Sequence, residues 1–304
     1  MTLNTVLIIG GPTASGKSGL ALAVAEAFNG TVINADSMQV YNGLPILTAQ
    51  PGVDDLAQAP HKLYGVLNPA DVCSAARWRE MALGEIRTTQ KENRLPVIVG
   101  GTGLYIKTLL EGLSPIPDIP LRFREEAAAL QQQLGNPGFH EELAKRDPLT
   151  ASKLDPLNTQ RNVRAFEVLL ATGKSLAEWQ ALPRIGPPED LRFLTVVLAP
   201  PREQLYAACD GRFDKMLAAG ALEEAKDFNS RIPQYTSLSK ALGYPELLSY
   251  INGSITLAEA TVQAQQSTRN YAKRQTTWFR HQIKTDIVLD NPAPAPLLSY
   301  MKDF

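Results

Sequence analysis

The sequence predicts an α/β protein: a parallel sheet with helices packed around it, interrupted by a helical insertion domain. Three observations predict it. A glycine-rich loop sits between a short apolar strand and a helix near the N-terminus. Further apolar runs alternate with helical stretches, the pattern of βαβ units. A proline-bracketed helical segment then breaks that alternation.

Val6 to Gly10 is an apolar run closed by glycine and reads as a buried strand. Ser18 to Phe28 follows as a helix, with Leu20, Leu22, Val24, Ala25 and Phe28 as its apolar positions. Thr31 to Asn34 is a second strand leading to Asp36, and Leu95 to Val99 a third, ending at Gly100-Gly101. Thr102 to Leu110 restarts a helical pattern. Ligands of such sheets sit beyond the carboxyl ends of the strands. Asp36, Ser37, Gly101 and Thr102 all fall there.

From Ser114 the texture changes. Pro115, Pro117 and Pro120 break the chain, the stretch to Leu182 reads almost wholly helical, and Pro183 to Pro188 closes it. The expected division is therefore a core of residues 1–113 and 186–304 with an insertion at 114–185. Leu194 to Ala199 returns as a buried strand, and Ile287 to Leu289 is a last short one. Asn291 to Pro296 reads as an extended tail linker.

The chain has 304 residues, 44% hydrophobic and 20% charged, which is ordinary for a globular protein. Its two cysteines argue against a disulfide framework. The N-terminal apolar run is too short for a signal peptide or a membrane span, so a cytoplasmic protein without a membrane partner is expected. Net charge is −1. Nothing in that sum announces a nucleic-acid binder, but distribution matters more. Between Ala260 and Thr285 there is no acid, yet Arg269, Lys273, Arg274, Arg280 and Lys284 lie there.

Gly11-Pro12-Thr13-Ala14-Ser15-Gly16-Lys17-Ser18 matches the phosphate-loop pattern in the strand–loop–helix context that motif requires. Its amides can converge on phosphate oxygens, the helix N-terminus adds positive potential, Lys17 adds a full charge, and the Ser18 hydroxyl can ligate Mg2+. The fold expected is P-loop NTPase-like. NTPases of this kind place an acid at the end of a later strand to organise the metal. Here the candidate strand ends in Gly100-Gly101-Thr102, and the acid appears instead as Asp36, as metal ligand or base.

Six segments in order resemble the bacterial tRNA dimethylallyltransferases. They are the loop itself, Asp36-Ser-Met-Gln-Val-Tyr41, Gly100-Gly-Thr-Gly-Leu-Tyr105, Gln160-Arg-Asn-Val-Arg164, Arg212-Phe-Asp-Lys-Met-Leu217 and Ala272-Lys-Arg-Gln-Thr-Thr-Trp-Phe-Arg280. The resemblance implies transfer of a dimethylallyl group from dimethylallyl diphosphate to the exocyclic amine of the adenosine 3′ of the anticodon. The loop would then grip a diphosphate leaving group, with Mg2+ on Ser18 and Arg212 approaching the diphosphate. Asp36 would be the general base and Thr102 its partner in holding the amine. Asp36, Ser37, Met38 and Gln39 would also meet tRNA. So would Gln160, Arg161, Asn162, Val163 and Arg164, and Arg124, with Arg122 as the alternative at that position. Lys240, Gly243 and Tyr244 correspond to a further contact segment.

Rival readings remain at this point: a small-molecule kinase, an adenylate prenyltransferase acting on AMP, and a silent RNA-binding protein on a kinase-like fold. Other residues have plainer roles open to them. Asp36 and Thr102 can each cap a helix. Arg161 and Arg164 can form a solvated face. His61, His140 and His281 show no metal-ligand spacing. Arg269 and Lys273 lie on a basic helical stripe, suited to a phosphate backbone, whereas Tyr271 and Trp278 on the opposite side read as core. The chain is expected to act as a monomer.

Overall fold

In the computed structural model, which describes residues 4–232 and 235–303, the apolar runs form one six-stranded sheet, all parallel. The strands are β1 (Thr5–Gly10), β2 (Gly30–Asn34), β3 (His61–Lys62), β4 (Leu95–Gly100), β5 (Arg192–Leu198) and β6 (Ile287–Leu289). Their order is β3-β2-β4-β1-β5-β6. The chain leaves β1 towards β2, returns to fill the gap with β4, and only later crosses to β5 on the other side. The switch point beside β1 is where such sheets bind ligands.

β1 explains the two-sided core. Val6 and Ile8 point to one face and Leu7 and Ile9 to the other, and all four are fully buried. On the first face they join Trp78, Ile86, Phe213, Phe228 and Phe279; on the second they join Leu20, Val24, Leu297 and Met301. The helices of this unit are α1 (Lys17–Ala27), α2 (Val53–Gln58), α3 (Ala75–Lys91) and α4 (Gly103–Glu111), with later ones named below. β3 escaped the sequence reading because it is two residues long and carries no apolar run.

Residues 111–187 form a second compact unit with its own core of Phe139, Leu143, Phe166 and Val168. It contains α5 (Leu121–Arg146), α6 (Pro148–Ala151), α7 (Thr159–Thr172) and α8 (Leu176–Ala181). Gly135 breaks α5 at φ 66°, with Pro137 two residues on. Its entering and leaving segments are tied to each other: Leu113 pairs with Ile185 antiparallel, and Glu111 with Arg184.

After β5 come α9 (Arg202–Ala218), α10 (Ala221–Arg231), a 3-10 turn at Ser237–Lys240, α11 (Tyr244–Ile251), α12 (Leu257–Gln282) and α13 (Pro294–Asp303). The last corrects an expectation. Residues 291–296 do not run on as an extended linker; a helix starts at Pro294. Proline is tolerated in a first helical turn, and Leu297 and Met301, four apart, bury one apolar face in the core beside α1. Among the described residues no helix is long and apolar enough to cross a membrane.

α12 lies on the ligand edge of the sheet because glycines make room for it. A Cβ on Gly10 would stand 2.5 Å from Phe279, one on Gly101 2.2 Å from Gln275, and one on Gly103 2.0 Å from Trp278.

Candidate active site

The phosphate loop leaves β1 at Gly10 and enters α1 at Lys17. Gly16 caps that helix at φ 87°, a conformation that suits glycine. Ala14 also lies at positive φ, 62°, which costs a residue with a Cβ about 1–2 kcal/mol. Such strain clusters at functional sites. Ser15 is buried, and its hydroxyl has no hydrogen-bond partner among the described residues. A donor held this way inside a phosphate loop fits a phosphate oxygen. Lys17 donates to the Pro12 carbonyl at 2.5 Å. Burial pushes its ammonium down to about 7, with Asp36 pulling upward and Arg212 pushing the same way as burial. Burial likewise lowers the Arg212 guanidinium, which Cys209 and Asp36 oppose.

The facing half of the site is built where β2 and β4 end together. A Cβ on Gly100 would stand 2.2 Å from the Ala35 carbonyl, so glycine there lets the two strand ends close. Ala35 N–H donates to Val99 O at 2.7 Å and Thr102 N–H to Ala35 O at 3.1 Å. Asp36 emerges from this junction. Asn34 Oδ1 accepts its N–H at 2.7 Å, and Asp36 Oδ1 accepts the Met38 N–H at 2.9 Å. The carboxylate is thus oriented by one oxygen in a turn rather than at a helix cap. Thr102 Oγ1 accepts the Ser37 N–H at 2.9 Å and bonds the Ser37 hydroxyl at 3.2 Å. Its side chain therefore ties the two edges together, while its carbonyl, not its hydroxyl, receives the first amides of α4.

One cavity of about 680 Å³ takes in Thr13 to Ser18, Asp36 to Gln39, Arg212 and Lys240. That size suits a small-molecule site. Asp36 is the one carboxylate among its lining residues. Leu47, Ala208, Leu242, Tyr64 and Tyr271 supply apolar surface, and burial pushes both tyrosine phenols far above their ordinary range, so they stay neutral. Tyr271, expected in the core, instead lines this cavity.

Two supporting residues, Gln275 and Glu224, escaped the sequence reading. Gln275 bridges Thr13 N–H and Gly101 O, both at 2.8 Å. Glu224 accepts the Ile46 and Leu47 amides at 2.7 and 2.9 Å, holding the segment that carries Leu47 into the cavity. Burial pushes its carboxyl up against the pull of those two amides. Gln39 donates to the Thr48 and Ala49 carbonyls, at 2.8 Å each, from the other side of that segment. Gln39 and Gln275 lay in segments already singled out, Gln39 as an expected tRNA contact; nothing local marks Glu224.

The remaining candidates divide. Tyr244 is core, 2% exposed against Phe228, and Gly243 caps α11 at φ 88°. Arg269 was expected on an uncompensated basic stripe, but Asp210 of α9 neutralises it at 2.5 Å. The compensating acid comes from another helix, which a search along one segment cannot find. Lys273 is exposed and lines a shallow groove along α12 with Arg274 and Thr277. In the 111–187 unit, Asn162 is buried, donates to Asp155 O and Asn158 O at 2.8 and 2.9 Å, and meets His140, while Val163 packs on the local core. Both serve the fold. Arg124 and Arg164 share the buried Glu167, at 3.2 and 2.5 Å. Gln160 and Arg161 are exposed.

Residues 39–282 match the family described as IPP transferase. The chain belongs to that family. Among IPP transferase relatives, a protein of Rhodospirillum centenum named tRNA dimethylallyltransferase is 55% identical over 279 residues, covering 91% of this chain and 89% of that protein. One of the same name from Paramagnetospirillum magneticum is 51% identical over 299 residues, 98% and 95% of the two chains. A solved tRNA isopentenylpyrophosphate transferase of Staphylococcus epidermidis superposes with a TM-score of 0.70 at 32% identity, covering 98% of each chain. A solved eukaryotic dimethylallyltransferase described as acting on tRNA reaches a TM-score of 0.83 at 28% identity, over 99% of this chain and 79% of that one.

Proposed function

We infer that the protein is a tRNA dimethylallyltransferase. It transfers the dimethylallyl group of dimethylallyl diphosphate to the exocyclic amine of the adenosine immediately 3′ of the anticodon, giving N6-isopentenyladenosine. The observation that carries this reading is the pairing, in one cavity, of a complete phosphate cradle with a single carboxylate. A kinase or NTPase of this fold needs an acid to organise its metal besides any base for its acceptor, and the cavity's one carboxylate, Asp36, cannot serve as both. β4 ends in glycines and β5 in Leu198-Ala199-Pro200, so neither supplies a second.

The residues then have distinct tasks. The loop amides, Ser15, Lys17 and Arg212 stabilise the negative charge that grows on the departing diphosphate. The Ser18 hydroxyl, exposed at the start of α1, fits Mg2+, which is commonly held by one or two protein groups plus phosphate oxygens and water. When bound, that metal would neutralise part of the leaving-group charge. Asp36 takes a proton from the arylamine during attack, and Thr102 with Ser37 holds the edge where the amine arrives. The cavity's apolar wall excludes water from the allyl group. The target base must leave its stack to enter. Exposed Arg161, Gln160, Lys240 and Lys273, with Arg124 and Arg164, would meet the tRNA, so the insertion serves as a tRNA-binding domain of a cytoplasmic enzyme.

Incubating the protein with labelled dimethylallyl diphosphate, Mg2+ and unmodified tRNA tests this, with AMP and ATP as separate arms. Label in tRNA alone supports it. Label on AMP would favour an adenylate prenyltransferase, and phosphate transfer from ATP a kinase.

A further inference from the structure

The two halves of the site are joined by an unbroken series of amides. Lys17 Nζ donates to the carbonyl of the Pro12–Thr13 peptide at 2.5 Å. The N–H of that same peptide donates to Gln275 Oε1 at 2.8 Å, and Gln275 Nε2 donates to Gly101 O at 2.8 Å. The Gly101–Thr102 peptide passes the pattern on, its N–H reaching Ala35 O at 3.1 Å. The Ala35–Asp36 peptide does the same, its N–H reaching Asn34 Oδ1 at 2.7 Å. Asn34 Nδ2 ends the series on the carbonyls of Asp36 and Leu63, both at 3.0 Å. Every amide accepts on its oxygen and donates from its nitrogen in the same direction. Amides arranged this way polarise one another, by roughly 10–30% per bond.

Gln275 is the one link in this series that comes from outside the strand ends and their loops. Its amide orientation is fixed by its partners, since a backbone N–H needs an oxygen and a carbonyl needs an N–H. The side chain is buried, with 5% exposure, and a Cβ on Gly101 would displace it. Two positions before it on α12, Lys273 faces solvent, and its neighbour Arg274 lines the cavity. At the far end of the series stands Lys17, which a diphosphate would draw away from Pro12 O.

We propose that Gln275 is a positioning residue that couples the diphosphate half-site to the acceptor half-site, so that each substrate binds more tightly when the other is present. This rests on the transferase reading above. Lys17 has two states, on Pro12 O or on a phosphate oxygen, and the Pro12–Thr13 peptide held by Gln275 senses which. Through Gly101 the same side chain sets the backbone of Thr102 and, through Ala35, that of Asp36. Linkage makes the effect reciprocal.

The test uses the full chain with Mg2+, inorganic diphosphate and an anticodon stem-loop RNA. RNA affinity is measured with and without saturating diphosphate, in wild type, Gln275→Met and Gln275→Glu. Methionine keeps the volume and removes both bonds; glutamate keeps an acceptor for Thr13 but loses the donor to Gly101. Wild type should show a coupling of about 5- to 150-fold, the usual span for linked sites, and both variants less than about 2-fold. In steady state the variants should lose about 10- to 100-fold in kcat, as misplacement of reacting groups does, and each KM at saturating co-substrate should rise by about the coupling lost. A purely structural role would lower the melting temperature and leave the coupling factor alone. Should both variants fail to fold, amide hydrogen exchange of residues 11–18 in wild type decides: RNA alone should slow it. Folded variants with wild-type coupling, a wild type without coupling, or loop exchange indifferent to RNA would each overturn the proposal. The transferase reading fails separately, if wild type moves no label to tRNA.

Discussion

In the phosphate loop, positive charge is one half-buried ammonium, Lys17, hydrogen-bonded to a backbone oxygen. In the 111–187 unit it is arginine on the surface, and two of the three candidates there already share a buried carboxylate, Glu167. On the proposed function, the contrast follows from what each would hold. A small diphosphate offers few contacts, so its charge would have to meet preorganised donors held by neutral groups rather than by an acid. A polyanion offers many phosphates, and exposed arginines can add to its binding even while tethered to an acid that keeps them in place.

Four experiments can break or sharpen that contrast. Asp36→Asn should show the largest effect. It should slow single-turnover transfer by roughly 10² to 10⁴ while leaving both substrate affinities near wild type; a normal rate would reduce Asp36 to a turn residue. Lys17→Ala should weaken diphosphate binding by about 10- to 100-fold, the worth of a charged hydrogen bond, without changing tRNA affinity in a filter-binding assay. Were tRNA affinity to fall equally, the division of labour between loop and surface would be wrong.

The third experiment reads the Lys17 ammonium directly. In the free protein it titrates at about 7, so at pH 8 most of it is neutral. Phosphate oxygens favour the charged form and raise that value. Diphosphate binding should therefore take up close to one proton at pH 8 and far less at pH 6, and affinity should fall as pH rises above 7. Calorimetry in buffers of different ionisation enthalpy measures the uptake. The smallest effects belong to the surface. Arg161→Ala and Lys273→Ala, which remove exposed charges, should each flatten the log–log salt dependence of tRNA binding by about 0.7 to 0.9. Arg269→Ala, which breaks a pair with Asp210, should flatten it less and lower the melting temperature more.

The same contrast explains which features are legible in the sequence. The loop, its flanking strand and helix, and Asp36 at a strand end are local patterns, set by backbone geometry over about eight residues. Five strands and the proline-bracketed unit follow from apolar runs and breakers in the same way. What escaped was non-local. Gln275 reaches Thr13 across the chain, Glu224 reaches Ile46, and Asp210 cancels Arg269. Tyr244 read as a contact residue because its segment resembles one, whereas burial against Phe228 depends on packing that no single segment contains. The tail helix was misread because prolines dominate a window in which Leu297 and Met301 decide the outcome.

The seating of α12 on Gly10, Gly101 and Gly103 has a consequence for how this protein can change over time. At each glycine the missing side chain is replaced by Phe279, Gln275 or Trp278 from a helix more than 170 positions away. Neither member of such a pair can drift alone: a methyl on the sheet side collides, and a smaller ring on the helix side leaves a void beside the reacting groups. Substitutions there should be strongly non-additive, harmful singly and tolerable only together. Two distant stretches of chain are thereby expected to vary together, and this edge of the sheet to change only as fast as its most constrained pair allows.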